Sequence, residues 1–270
     1  RPLTFIFKIM DIYSKIEGLC SAKNKGSVLK NGIEPTPRVK YITSLLKESG
    51  IYYYVDKFKH RDLTCYNIIV PGSGKQVVMA HHDIVNPRSD NANDNSCSII
   101  CAIALKKLVP TVTLAFVDGE EVGGLGSTYL SKRIKDGELG KVDWVLNLEL
   151  SGRGGKNFFI GDTGSKSKLR DRIIKLFPDT PEIGVPFNDS KILRGQGIDS
   201  ININPTPSLE DGELDLSPLN LCHSLSDSVD KISQFDMKTY VEEVLVPICK
   251  PTRFSSWLLV KFNIFFKIFS

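Results

Sequence analysis

Residues 76–83 read QVVMAHHD. An apolar, β-branched run that follows the turn residues GSGK is expected to form a strand buried on both faces, and this one ends in two histidines and an aspartate. The same arrangement recurs outward along the chain. TVTLAFVD (111–118) and WVLNLEL (144–150) are further apolar strands with acids at their ends, and SININP (200–205) is a fourth strand. IYYYVDKF (51–58), CYNIIVP (65–71) and the short NFFIG (157–161) add strand candidates. Helical spacing appears between them: Val39, Ile42, Leu45 and Leu46 within residues 36–48, then residues 96–108, 127–134 and 167–177, and a long late helix over 232–248. Strands that alternate with helices predict an α/β fold, with helices on both faces of a central sheet.

Bulk properties narrow the function classes. The 270 residues suffice for a sizeable core, 41% hydrophobic and 24% charged content is ordinary for a globular chain, and the net charge is only +4. Its lysines and arginines are scattered, so nothing favours a nucleic-acid partner. The six cysteines form no CxxC pair and the N-terminus shows no recognisable signal peptide, from which reduced thiols and a cytoplasmic setting are expected. Residues 1–9 are expected to be a non-native or disordered extension ahead of Met10, with the main domain over 10–250. The apolar segment within 251–270 is shorter than the roughly 20 residues that cross a bilayer and carries Lys261 and Lys267. It is expected to pack on the domain or form an appendage rather than span a membrane.

The polar residues gather where strands end, the edge at which open α/β sheets form ligand sites. Side chains two apart on a strand share a face, so His81 and Asp83 point one way and His82 the other. Asp83 is thus placed to orient His81 as a metal ligand, or His81 is a structural histidine near a turn. Asp94, in NDN, opens a helix and is either a cap or a ligand. Glu120 and Glu121 lie in a turn between Gly119 and Gly123-Gly124, where glycine lets adjacent side chains address one place. That pair is a base beside a ligand, or a solvated acidic turn. Glu149 is a lone acid at an apolar strand's end, where burial demands a partner. His223 precedes Asp227 by four residues in a polar loop. The acidic stretch LEDGELDL (209–216) is a solvated loop, or an attractor of positively charged N-termini.

In order, these motifs are HxD, NDN, GEExGGLGS, NLE and HSxxD, and the series resembles the co-catalytic zinc aminopeptidases of metallopeptidase clan MH. That group includes the bacterial leucyl-aminopeptidase type, glutamate carboxypeptidases and glutaminyl cyclases, and the similarity runs from about residue 10 to 247. The resemblance implies a single-domain, three-layer α/β/α fold with a mixed, mostly parallel sheet and two zinc ions per chain. It implies His81, Asp94 and Glu149 on one zinc, and Asp94, Glu121 and His223 on the other. Asp94 would be shared along with a bridging water, and followed by a peptide bond that is often cis. Glu120 would be the general base and Asp83 the group that orients His81. The substrate would be a peptide or amino-acid amide losing its N-terminal residue.

The spacings carry the resemblance further. From Glu149 to His223 is 74 positions (223 − 149) and from His81 to Asp94 is 13 (94 − 81), too few for the inserted domains of larger clan members. Two residues depart from the pattern: Glu149 stands where compact relatives usually have Asp, and Asn91 where NDN is usually introduced by glycine. Alternatives on the same fold are a carboxypeptidase or amidohydrolase, a one-zinc glutaminyl cyclase, and a metal-free binding domain. The GLGS after Glu121 favours the peptidases over the cyclases, and the full set of competent ligands disfavours the binding domain.

Overall fold

A computed structural model describes residues 12–23, 35–209 and 212–250. The expectations for residues 1–9 and for the apolar segment 251–270 lie outside the described residues. In chain order the helices are α1 (Ile12–Ser21), α2 (Pro37–Glu48), α3 (Cys97–Leu108), α4 (Leu125–Lys135), α5 (Lys168–Leu176) and α6 (Asp189–Gly195). Then α7 (Gln234–Thr239) continues through a π-type turn, Tyr240–Leu245, into α8 (Val246–Cys249), giving the long late helix. The strands are β1 (Tyr54–His60), β2 (Leu63–Val70), β3 (Gln76–His81), β4 (Thr113–Val117), β5 (Trp144–Leu148), β6 (Phe158–Ile160) and β7 (Ser200–Pro205).

The seven strands form one sheet in the order β1-β2-β4-β3-β5-β7-β6. β4, β3, β5 and β7 pair in parallel, and β1–β2, β2–β4 and β6–β7 pair antiparallel. The result is the expected mixed sheet with a parallel centre. β3 shows why: Val78 and Ala80 join a core that includes α1, α2, α3, α5 and α7, while Val77 and Met79 face Leu130 of α4 and Leu193 of α6. A strand apolar on both faces needs helices on both, which is the three-layer arrangement.

Local signals account for the helices that were expected. Thr36 caps α2 by accepting from Val39 N at 3.3 Å, with Pro37 in the first turn. In α3, ten of the twelve residues are buried, so it is covered all round instead of presenting one face to solvent. Two helices were not anticipated. α1 buries Ile12, Ile16, Leu19 and Cys20 at helical spacing, and α6 is a seven-residue helix capped by Asn188. The first strand is shifted to 54–60 from the expected 51–58. No helix among the described residues is long and apolar enough to cross a membrane.

The connections locate the site. β3 leads through α3 to β4 on one side, and the chain then crosses to place β5 on the other side of β3. A crevice opens where the direction of winding reverses, at the carboxyl ends of these strands. His81 ends β3, Glu149 follows the end of β5, and the Glu120–Glu121 turn follows β4.

Candidate metal centre

The residues singled out in the sequence converge on that crevice. His81 Nε2 lies 3.1 Å from Asp94 Oδ1 and 3.4 Å from Glu149 Oε2. His223 Nε2 lies 2.9 Å from Glu121 Oε2 and 3.4 Å from the other oxygen of Asp94, Oδ2. Asp94 therefore faces one histidine with each oxygen. Three clusters result, His81–Asp94–Glu149, Asp94–Glu121–His223 and His81–Glu120–Glu121, each with ligand atoms within 4.8 Å of one another, and Asp94 is shared by the first two. Glu120 lines the same cavity, of about 570 Å³, which is also lined by Leu150, Ile183, Val185 and Phe187.

Each side chain is held by identifiable neighbours. Asp83 Oδ1 is 3.4 Å from His81 Nδ1, and its two oxygens accept from Glu120 N and Glu121 N at 3.1 Å each. One carboxylate thus holds the turn that presents the glutamates and lies beside the imidazole. That turn uses a positive φ at Gly119 (75°), which an L side chain rarely adopts. Asp94 sits in a tight π-type turn, Ala92–Ser96, followed by a cis bond to Asn95. Asn91 opens that turn at φ 51°, in the left-handed region where Asn is the best-tolerated substitute for the glycine the pattern led one to expect. Glu149 is clamped by amides: Asn147 Nδ2 donates to Oε1 at 3.0 Å and Asn95 Nδ2 to Oε2 at 2.8 Å. His82 turns away from the cavity and, since a carbonyl only accepts, donates from Nε2 to Tyr66 O at 2.7 Å.

Several groups at the site had no role in the sequence reading. Asp227 accepts from Asn93 N at 2.7 Å and Asp94 N at 3.0 Å, fixing the backbone beneath the shared carboxylate. Its position four residues after His223 was visible, but not the partner 133 residues away. Arg38 is a buried cation that donates to His82 O, Leu19 O and Ser96 Oγ, tying α1 and the end of β3 to the start of α3. Burial lowers its pKa to about 10, against the pull of Cys20, Asp83, Asp94 and Asp227. Asp189 in the first turn of α6 is fully buried, and burial pushes it up to about 7. An acid in the first turn of a short helix has an ordinary explanation, and nothing local marks Asp189 as different.

The electrostatics favour a cation. Burial raises Glu120 to about 10, with Glu149, Asp189 and Glu121 adding to the rise, and raises Glu121 to about 8 with Asp94, Asp83 and Glu149 contributing. Burial opposes protonation of His81, yet Glu149, Asp83 and Asp94 outweigh it and hold the imidazole well above its usual range. No lysine or arginine lines the cavity among the described residues. Carboxylates gathered this closely, with no lysine or arginine between them, require either protons or metal to offset the charge. Imidazole nitrogen and carboxylate oxygen are the ligand types zinc takes, so the residues present fit the ions that the resemblance implied.

The fold is shared with solved structures. A zinc aminopeptidase from Bacillus subtilis aligns at a TM-score of 0.56 and 22% identity, covering 69% of this chain and 50% of that one. The LapA aminopeptidase of Legionella pneumophila aligns at 0.67 and 14% identity, over 90% of this chain and 72% of that one. A glutaminyl cyclase from Porphyromonas gingivalis aligns at 0.66 and 18% identity, over 87% and 95%. The chain spans about half the length of the Bacillus enzyme, and at these identities the likeness carries the fold alone. No curated protein matches the chain. The profile of peptidase family M28 matches residues 67–242, well over half the chain, and the protein belongs to that family.

Proposed function

We propose that the protein is a zinc-dependent exopeptidase that removes N-terminal residues from peptides. The observation that carries this reading is the placement of Asp94 between two histidine–carboxylate clusters, with Glu120 lining the same cavity. His81, Asp94 and Glu149 would hold one ion, and Asp94, Glu121 and His223 the second. When bound, the pair would supply Lewis acidity toward the scissile carbonyl and lower the pKa of the attacking water. The chain's own residues do the rest. Glu120 accepts the proton of the attacking water and delivers it to the departing amine. Asp83 keeps Glu120 in place through its backbone amide, and Asn147 and Asn95 hold Glu149 against His81. The apolar wall of Leu150, Val185 and Phe187 excludes water around the substrate residue.

The test is mass spectrometry of mixed unblocked peptides after incubation with zinc-loaded protein. A ladder shortened stepwise from the N-terminus is expected, lost in Glu120→Gln with zinc content retained. Trimming from the other end would replace this reading with a carboxypeptidase. Loss of ammonia from N-terminal glutamine, without shortening, would replace it with a cyclase.

A further inference from the structure

One wall of the cavity is formed by β7, and its polar face is unusual. Asn202 and Asn204 are two apart on the strand and project together, and Asn147 projects beside Asn202 because these two are register partners. All three are buried, with exposures of 0%, 3% and 0% for Asn202, Asn204 and Asn147. On the opposite face, Ile201 and Ile203 pack in the core. A carboxamide so buried is costly unless its donors and its oxygen find partners.

The hydrogen bonds fix which way the Asn147 and Asn202 amides point. Asn147 Nδ2 donates to Glu149 Oε1 at 3.0 Å and to Asn202 Oδ1 at 3.2 Å, which uses both of its hydrogens. Asn202 must therefore turn its oxygen toward Asn147, leaving its NH2 group directed elsewhere. Neither Asn202 Nδ2 nor Asn204 Nδ2 has a partner in the protein. Both residues line the cavity that contains His81 and Glu149.

The two nitrogens also converge. A Cβ placed on Gly161 would lie 2.4 Å from Asn202 Nδ2 and 2.9 Å from Asn204 Nδ2, so the nitrogens are no farther apart than the sum of these distances, 5.3 Å. One oxygen about 2.9 Å from each can accept from both. Both donors are neutral carboxamides and no lysine or arginine among the described residues lines the cavity, so a neutral carbonyl suits the pair better than a carboxylate, whose burial would call for a charged partner.

Building on the exopeptidase reading above, the geometry points to Asn202 and Asn204 as a specificity pair. Together they take the carboxamide oxygen of a glutamine or asparagine side chain on the substrate residue held beside Glu149. Leu150 and Val185 also line the cavity and offer apolar surface to its aliphatic stem. A site built to donate hydrogen bonds rejects an isostere that lacks the acceptor, because its own donors are then left unpaired.

Two measurements on the zinc-loaded protein test the pair: kcat/KM for tripeptides differing only in an N-terminal glutamine, methionine or glutamate, and the Kd of those three free amino acids. Glutamine should lead methionine and glutamate by about tenfold or more in both. Asn204→Leu and Gly161→Ala should each bring the glutamine-to-methionine ratio to within about twofold of unity. The first removes a donor and the second fills the space against both nitrogens without removing either, so agreement between them separates loss of the pair from loss of folding. Equal treatment of glutamine and methionine by the unaltered protein, or a preference that survives both substitutions, would overturn the assignment. Peptides cut without regard to the first residue would sink the pair and leave the exopeptidase reading standing. Preferential glutamine binding with every peptide intact would do the reverse.

Discussion

At the scale of single residues, the centre rests on carboxylates that hold backbone as well as those that face the cavity. Asp227 accepts two consecutive amides, Asn93 and Asp94, so it sets the angle from which Asp94 meets both histidines. Asp227→Ala is expected to weaken zinc binding by about 10- to 100-fold, as loss of a supporting group typically does. Competition with a chromophoric chelator would measure it. Glu120→Gln should bind zinc as the unaltered protein does while losing about 10²- to 10⁴-fold in turnover, since it removes the proposed base and leaves the proposed ligands in place. The Glu149 position shows how a longer side chain than the usual Asp is accommodated. Two amides clamp its oxygens, so its extra methylene is fixed in place.

At the scale of elements, strand ends carried the most information in the sequence. His81 ends a strand that an apolar, β-branched run identifies, and Asp83 follows it by two positions, the spacing that puts two side chains on one side. Glu149 was legible for a related reason, as an acid ending an apolar run. His223 was not: its loop has no periodicity, and it was found only through the order of the motifs. Asp189, Arg38 and Asn202 stayed hidden because each signal is ordinary locally and acquires meaning from a partner far along the chain. α1 was not anticipated although Ile12, Ile16, Leu19 and Cys20 spell a helical face, since its ten residues are short for a helix to declare itself by periodicity.

The junction between β4 and α4 gives a prediction at this same scale. A Cβ on Gly126 would meet the backbone N and O of Asp118 at 2.5 Å each, so the helix can approach the strand only with glycine there. Gly126→Ala should push α4 outward, costing about 1–3 kcal/mol by overpacking and displacing the Glu120–Glu121 turn. Denaturant unfolding would read the first effect and zinc affinity the second.

At the scale of the whole molecule, the far edge of the sheet is tied by charge. Burial alone would raise the Asp162 carboxyl, but the Arg194 guanidinium, the Ser190 hydroxyl and Asn202 N outweigh it and hold it below the usual carboxylate range. A group depressed on folding stabilises the native state above its unfolded pKa, and that contribution is lost as pH falls through the folded value. The stability difference between the unaltered protein and Asp162→Ala should therefore be flat above about pH 4 and shrink below it. Near neutrality it should reach about 3 kcal/mol, the cost of stranding a largely buried partner. Thermal melts across that range would check both the plateau and the decline.

The two histidines of the centre differ in their anchorage. His81 ends a central strand with its side chain 2% exposed, while His223 rides a loop at φ 62° with 56% of its side chain open to solvent. One half of the centre is thus masonry and the other a hinged latch, and if each half holds the ion proposed for it, the residence times of the two should differ accordingly. Mixing the zinc-loaded protein with excess chelator should release zinc in two kinetic phases of equal amplitude. His223→Ala should abolish the fast phase and leave the slow one. A single phase would mean that Asp94 couples the two halves so tightly that neither empties alone.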